Sequence, residues 1–534
     1  MVLLYFILFA GLIEARIVRT PLGDVIGSVQ TSRAGRKYYS FMKIPYAKPP
    51  VGNLRFRNPE PRGAWYGLRD GRERPPFCSQ LIIFSPRIPK YVMGEEDCLY
   101  LNIFSLSHKQ GMKMSVMVYF VGDNFRFGMA NEPGLGNYLI DEEVILVVVQ
   151  HRLGALGFLS LEDDIIPGNF GLKDQALALD WIKQYIKYFG GNPNSITVFG
   201  DGSGGASAHF LAVSHMTKDI VKAVISQGGV ANDIWALAKP GKAKETAEKA
   251  LLMLGCSGAS YKILSCLRDK NASEIMKTEY ELIYWDMEPN VVFQPVVEKY
   301  KAGSFLYENP LNSNTSFPWL VGFTSDEGQY KIYSMESQRY DEFKPFLNNL
   351  DSFIKKMFYP ANESQKLDET VRMIRQRYFP KINDKQKMLT GLKDFYGFLN
   401  YVVPTFQALR RHVGQSYLYV FDFRFTSSPH SASPRYGFKG APHAEETVAL
   451  FDWTDPLDMR EEQKVSREVT KMWANFAKYQ KPTIELTLQW PQFINEKYLL
   501  IRENITAEKF YRKIWPLQPL KLTQQLPVCP LNCC

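Results

Sequence analysis

The 534-residue sequence lacks the features that mark several large classes of protein. It has no block of lysine and arginine, although 64 basic residues outnumber 55 acidic ones and give a net charge of +9. A nucleic-acid partner is therefore not indicated. Beyond the N-terminus, no stretch reaches the roughly 18 consecutive apolar residues of a membrane helix. Internal repeats, low-complexity tracts and domain linkers are also absent from the sequence, which favours one domain.

Motifs for a cofactor or a metal are lacking as well. No dinucleotide glycine fingerprint appears, and the glycine-rich run 200–205 has no Lys-Ser/Thr pair of the kind a phosphate-binding loop requires. His209 and His215 lie six positions apart, which does not place them on one helix face as a metal pair. We therefore expect neither a cofactor nor a metal ion.

The N-terminus begins with an apolar run that closes at Ala15. It resembles a secretory signal peptide, although the basic segment that normally opens such a signal is missing. A buried first strand is the alternative, and the sequence Glu-Ala-Arg at the end of the run favours the signal. We expect a signal peptide over residues 1–15 and a single secreted, extracellular domain over residues 16–534.

If the protein is secreted, disulfides are expected among its seven cysteines, since disulfides form in oxidising compartments. Cys78 and Cys98 enclose one loop, and Cys256 and Cys266 enclose a shorter one. An odd group crowds the C-terminus: Cys529, Cys533 and Cys534. An intermolecular disulfide and a free thiol in a frayed tail both remain open for that group.

Four Asn-x-Ser/Thr sequons also fit an extracellular protein, because each can carry a glycan and would then lie on the surface. They begin at Asn271, Asn314, Asn362 and Asn504.

Apolar strands alternate with helical segments through the chain. The nearly unbroken apolar runs 114–121 and 144–150 predict strands that are covered on both faces. Apolar residues at helical spacing predict a helix over 172–189 that packs one face on a sheet. Further strands are predicted at 195–199, 223–227, 319–323 and 417–425. The alternation indicates an α/β fold with a mostly parallel, twisted sheet flanked by helices.

The most informative stretch is the run FGDGSGG at 199–205. A strand leads into it and an alanine-rich helix, 206–213, leads out. Strand, glycine-rich turn and helix are typical of a nucleophile elbow, whose usual pattern is Gly-x-Ser-x-Gly. Ser203 does not fit that pattern, because Asp201 rather than glycine stands two residues before it.

The chain resembles the type-B carboxylesterase/cholinesterase family of the α/β-hydrolase fold from about residue 17 to about residue 515. The resemblance rests on five segments taken together: 41–56, 96–103, 152–158, 168–175 and GGNPNS at 190–195. It implies the α/β-hydrolase fold. It also implies two disulfides, Cys78–Cys98 and Cys256–Cys266.

The family elbow reads F-G-E-S-A-G-G-A-S, which places Gly202 at the position of the catalytic serine. Ser203 then follows that position, where a backbone N–H helps to form the oxyanion hole. The resemblance also implies that Glu327 and His443 are the acid and the base of the triad, in the chain order nucleophile, acid, base.

The family's oxyanion loop, H-G-G-G-F, falls on VGDNF at 121–125. Asp123 and Asn124 replace the glycines whose N–H groups would bind the oxyanion. Side chains there hinder close approach and positive φ, and a carboxylate at Asp123 repels negative charge. Loss of one donor costs about 10²–10³ in rate, and loss of the nucleophile costs on the order of 10⁶.

We therefore expect a secreted, catalytically inactive member that resembles glutactin, neurotactin and neuroligin, an expectation drawn by analogy within the family. It would act by binding an extracellular protein partner or a small apolar ligand. The alternative is an active carboxylic-ester hydrolase that uses Ser203, or a water activated by His443, with Glu327. If Ser203 is not catalytic, a helix-capping or solvent-facing role is expected for it.

Overall fold

The structure, a computed structural model, describes residues 17–509 apart from several segments: 84–90, 130, 132, 284–287, 313, 337–348, 358–364, 381–383, 427, 429–436, 453–456, 458, 484–488 and 495–496. The predicted signal at 1–15 lies outside the described residues. So do four further predicted positions: Asn362, Cys529, Cys533 and Cys534.

The strands of the described chain are β1 (Ile17–Thr20), β2 (Gly23–Ile26), β3 (Ser28–Thr31), β4 (Lys37–Pro45), β5 (Leu68–Asp70), β6 (Gln80–Ile82), β7 (Tyr91–Met93), β8 (Tyr100–Ser105), β9 (Met114–Phe120), β10 (Ile145–Val149), β11 (Gly191–Asp201), β12 (Ala223–Gln227), β13 (Trp319–Thr324), β14 (Ser416–Phe421), β15 (Lys497–Ile501) and β16 (Thr506–Lys509). The first hairpin pairs β1 with β2, and β5 adds to it.

Eleven strands form one sheet in the order β16-β15-β14-β13-β12-β11-β9-β10-β8-β4-β3. The strands β9 to β15 pair in parallel, whereas β3, β4 and β8 at one edge and β16 at the other pair antiparallel. This mixed, mostly parallel sheet confirms the predicted fold class. The predicted strand at 195–199 is longer at both ends, and the one predicted at 417–425 ends at Phe421.

The α-helices of the described chain are α1 (Gly154–Phe158), α2 (Phe170–Tyr185), α3 (Ser203–Val213), α4 (Lys242–Leu254), α5 (Ser260–Asp269), α6 (Ala272–Glu281), α7 (Gln329–Glu336), α8 (Leu350–Met357), α9 (Gln365–Tyr378), α10 (Lys385–Gly397), α11 (Val403–Arg411), α12 (Glu446–Leu450) and α13 (Arg460–Tyr479). The predicted helix 172–189 is α2 followed by a 3₁₀ turn, Ile186–Phe189. Within the described residues, no helix is both long and apolar enough to cross a membrane.

Hydrophobic cores cover both faces of the sheet. Consecutive residues of β11 point to opposite faces, so Val198 joins the core that contains α2 while Phe199 joins the core that contains Trp473 of α13. Burial on both sides explains why the central strands read as continuous apolar runs. Because β11 lies between β9 and β12, its carboxyl end is held firmly where the elbow begins.

Both disulfides implied by the resemblance are present in the structure. The Cα atoms of Cys78 and Cys98 are 4.9 Å apart, and those of Cys256 and Cys266 are 5.7 Å apart. The described sequon asparagines are all exposed: Asn271, Asn314 and Asn504. Their glycosylation stays a prediction.

Candidate functional site

The elbow forms where β11 ends and α3 begins. Gly202 stands at its apex with φ 50° and ψ −120°. Positive φ with this ψ strains any residue that carries a Cβ, and glycine adopts it without that cost. The N–H of Gly202 donates to the carbonyl oxygen of Gln227, at the end of β12, at 2.8 Å. The backbone of the elbow is therefore formed although the residue at its apex has no side chain.

A histidine–carboxylate pair lies beside the elbow. His443, in the segment between β14 and α12, places Nδ1 2.5 Å from Oε2 of Glu327, which follows β13. Glu327 is fully buried, and its Oε1 accepts the N–H of Thr324 at 2.8 Å. The His443 side chain is 21% exposed, so the ring faces an accessible space while its partner does not. The carboxylate thus orients the imidazole from behind.

Residue 202 faces the other nitrogen of that imidazole. A Cβ placed on Gly202 would lie 3.0 Å from Nε2 of His443 and 3.5 Å from Cε1. The structure thus brings together the three positions that the sequence assigns to a triad: 202, 327 and 443. A serine at 202 would reach Nε2 after the ring gives way by a few tenths of an ångström.

Ser203 points elsewhere. Its side chain is 2% exposed, and its Oγ accepts the backbone N–H of Phe125 at 2.9 Å. The expectation of a solvent-facing or capping serine is therefore wrong. Ser203 is the first residue of α3, after the apex, and this position turns its hydroxyl toward the loop 121–125.

The loop 121–125 keeps a conformation that usually favours glycine. Asn124 has φ 56° and Phe125 has φ 52°, so side chains have not abolished positive φ there. The N–H of Asp123 donates to the carbonyl oxygen of Phe127 at 3.1 Å. The carboxylate of Asp123 is exposed and accepts the side-chain amide of Asn124 at 2.7 Å. Negative charge therefore stands close to the elbow.

Acidic groups set the charge state of His443. Burial lowers the pKa of His443, but the charge and hydrogen bond of Glu327, with help from Asp201 and Glu446, outweigh burial and raise the pKa to about 9. A general base must be neutral at its working pH. The carboxylate of Glu327 therefore favours the protonated form of His443, whose Nε2 faces the elbow.

Two carboxyls beneath the elbow were not singled out from the sequence as part of the site. Burial raises the pKa of Asp201 to about 6, although Tyr119 donates its hydroxyl to this carboxyl at 2.5 Å. Burial and the charge of Glu327 raise the pKa of Glu446 to about 8, and Tyr419 donates to it at 2.8 Å. Only the position of Asp201 on the elbow and of Glu446 just after His443 hinted at them.

Two aromatic rings beside His443 are a further part of the site that the sequence does not predict. The ring of Tyr401 lies 4.8 Å from the imidazole and that of Tyr330 lies 6.0 Å from it, between centroids. Asn290 donates to the hydroxyl of Tyr330 at 2.7 Å. Next to Tyr330, the buried Lys331 is ion-paired with Glu288 at 3.1 Å. No spacing in the sequence connects these segments.

The described residues contain no group of three or more His, Cys, Asp or Glu side chains that could hold a metal ion. The groups that meet at the elbow are one imidazole, carboxyls and aromatic rings.

Comparison with known proteins gives a consistent result. The family model described as "Carboxylesterase family" matches residues 14–514. Juvenile hormone esterase of Tribolium castaneum is 32% identical over 90% of this chain and 86% of its own length. Venom carboxylesterase-6 of Apis mellifera is 34% identical over 64% and 65%. Acetylcholinesterase of Danio rerio is 29% identical over 89% and 83%.

Proposed function

The chain belongs to the carboxylesterase family, and we propose that within this family it is an extracellular binding protein that does not turn over esters. The observation that carries the proposal is the glycine at the apex of the elbow, Gly202. A Cβ added to this residue would lie 3.0 Å from Nε2 of His443. Acyl transfer in this fold requires a side chain at that point to form a covalent intermediate. Glycine supplies none.

Ser203 does not replace the lost nucleophile. Its hydroxyl is engaged with the N–H of Phe125 rather than with His443. A nucleophile must stand within hydrogen-bond reach of its base. Hydrolysis through Ser203 is therefore disfavoured.

The ligand we propose is a small apolar ester. One relative of this chain is named for esterase activity on juvenile hormone. The ring of Tyr330, which is partly exposed beside His443, offers a flat apolar face of the kind that binds such molecules. An extracellular protein partner is the alternative to this ligand, and retention of an ester on gel filtration distinguishes the two.

Three observations support an extracellular location. The chain carries two disulfides, which persist in oxidising compartments. Its described sequons are exposed, as glycosylation requires. One relative is named as a venom carboxylesterase, and venom is a secreted fluid.

Binding without turnover is tested by incubating the purified protein with a long-chain p-nitrophenyl ester, followed by rapid gel filtration. We expect intact ester in the protein fraction and p-nitrophenol no higher than in a protein-free sample. Tyr330→Ala, which removes a ring facing His443, should weaken retention about tenfold. Tyr300→Ala, which removes an exposed tyrosine in edge-to-face contact with Tyr307, should leave retention unchanged.

Each contrary outcome overturns a different part of the proposal. Continuous release of p-nitrophenol would overturn the loss of turnover. Absence of ester from the protein fraction, together with capture of a defined extracellular protein, would overturn the small ligand in favour of a protein partner.

A further inference from the structure

We propose that Asn290 is a positioning residue of the cleft, because it fixes the ring of Tyr330 beside His443 and so sets the affinity for an apolar ligand. The inference rests on the proposed function and deepens it by naming a residue that determines binding through another side chain. The observation behind it is the hydrogen bond that Nδ2 of Asn290 donates to the hydroxyl oxygen of Tyr330 at 2.7 Å.

The ring of Tyr330 is the part of the cleft that this hydrogen bond controls. Tyr330 is the second residue of α7, and its partly buried ring lies 6.0 Å from the imidazole of His443, between centroids. It also meets the ring of Tyr401 edge to face at 6.0 Å. A tyrosine side chain turns about two torsions between its backbone and its ring, so a bond at the hydroxyl end fixes where the ring lies.

Asn290 is itself held in place by the segment that carries it. The residue is buried. Two positions earlier, Glu288 is ion-paired at 3.1 Å with Lys331, the neighbour of Tyr330, and the side chains of this pair are 8% and 0% exposed. Breaking such a buried pair is costly. Two successive residues of α7 are therefore bound by two residues of one segment, and this double attachment keeps the donor opposite the hydroxyl.

Another donor near this hydroxyl is more distant. Nδ2 of Asn400 lies 3.5 Å from the hydroxyl oxygen of Tyr330, beyond the usual range of about 2.7–3.2 Å. Without Asn290, the hydroxyl would lose the donor at 2.7 Å, and the ring would be free to take other rotamers. A ligand would then have to order the ring as it binds, which costs affinity.

The test measures the dissociation constant of the long-chain p-nitrophenyl ester by gel filtration at a series of ester concentrations. Asn290→Leu keeps a side chain of similar shape but donates no hydrogen bond, and we expect it to raise the dissociation constant about three- to tenfold. Tyr330→Phe loses the same bond and should have a similar effect. Asn290→Leu/Tyr330→Phe should bind no more weakly than Tyr330→Phe, because the shared bond is already gone.

This coupling separates positioning from a merely structural role, since a general loss of structure would weaken binding in both backgrounds. Asn137→Leu is the matched control. Asn137 accepts the hydroxyl of Tyr38, on β4 near one edge of the sheet, at 2.8 Å, so this variant should leave the dissociation constant unchanged. An unchanged constant in Asn290→Leu, equal losses in both backgrounds, or the same loss in Asn137→Leu would overturn the inference.

A second measurement does not depend on whether the ester binds. The ring current of Tyr330 acts on the Cε1–H resonance of His443, so Asn290→Leu should move this resonance in the unmodified background and leave it in place in the Tyr330→Leu background. Asn137→Leu should not move it. A resonance that Asn290→Leu leaves unchanged would show that Asn290 does not position the ring. If the unmodified protein retains no ester, the proposed ligand is overturned, whereas the resonance still decides whether Asn290 holds Tyr330.

Discussion

Replacement of Arg152 by methionine is expected to lower the free energy of unfolding by about 3–5 kcal/mol, the cost of leaving one partner of a buried ion pair alone. Arg152 and Asp174 have side chains only 5% and 0% exposed. The guanidinium donates to Asp174 through Nε at 2.8 Å and through Nη2 at 2.7 Å, and the backbone N–H adds a third bond at 3.1 Å. The pair ties the segment after β10 to α2.

Urea unfolding followed by tryptophan fluorescence measures this loss. Lys48→Met is the matched control, because its ion pair with Glu60 is half exposed on both sides and such pairs contribute at most about 1 kcal/mol. An Arg152→Met variant as stable as the Lys48→Met variant would show that the buried pair does not hold these segments together.

Replacement of Glu327 by glutamine is expected to lower the pKa of His443 by two units or more, about a hundredfold in the protonation equilibrium. Burial already lowers this pKa, and the charge and hydrogen bond of Glu327 are the main causes that raise it to about 9. Without the carboxylate, burial dominates. Asp201→Asn should lower the pKa less, because Asp201 acts on His443 by charge alone, whereas Glu327 also forms a hydrogen bond with it.

The Cε1–H resonance of His443 reports this titration, and its absence in His443→Gln identifies it among the seven histidines of the chain. A group with a raised pKa stabilises the fold fully below its unfolded pKa, about 6.5. That stability is lost as the pH rises through about 9. The stability contributed by the His443–Glu327 pair should therefore decline as the pH rises from about 6.5 and be lost once it has passed about 9. A pKa near 6.5 in the unmodified protein would contradict this account.

Much of the fold could be predicted from the sequence, because strand and helix periodicities alternate so regularly through the chain. The errors are at element ends. Strand β11 begins at Gly191, before its apolar run, and its pairing with β9 shifts register between Gly191 and Ile196. Strand β14 ends at Phe421, although the following residues continue the same pattern. Pairing with neighbouring strands decides such bounds, and a single sequence does not contain it.

The site was predictable only where one segment fixes it. Gly202 follows from the elbow pattern, since the run 199–205 is contiguous. The contact of Ser203 with Phe125 joins segments 78 positions apart and depends on a loop held at positive φ. The charge of His443 depends on carboxyls in three separate segments: Asp201 at the end of β11, Glu327 after β13 and Glu446 at the start of α12. Both features depend on contacts between segments that are distant in the sequence.

The measurement that tests the central claim most directly is the intact mass of the purified protein after treatment with a fluorophosphonate probe at neutral pH. The absence of a nucleophile at Gly202 predicts no adduct in the unmodified protein and none in Ser203→Ala. A stoichiometric adduct on the unmodified protein that disappears in Ser203→Ala would contradict the account and identify an active ester hydrolase.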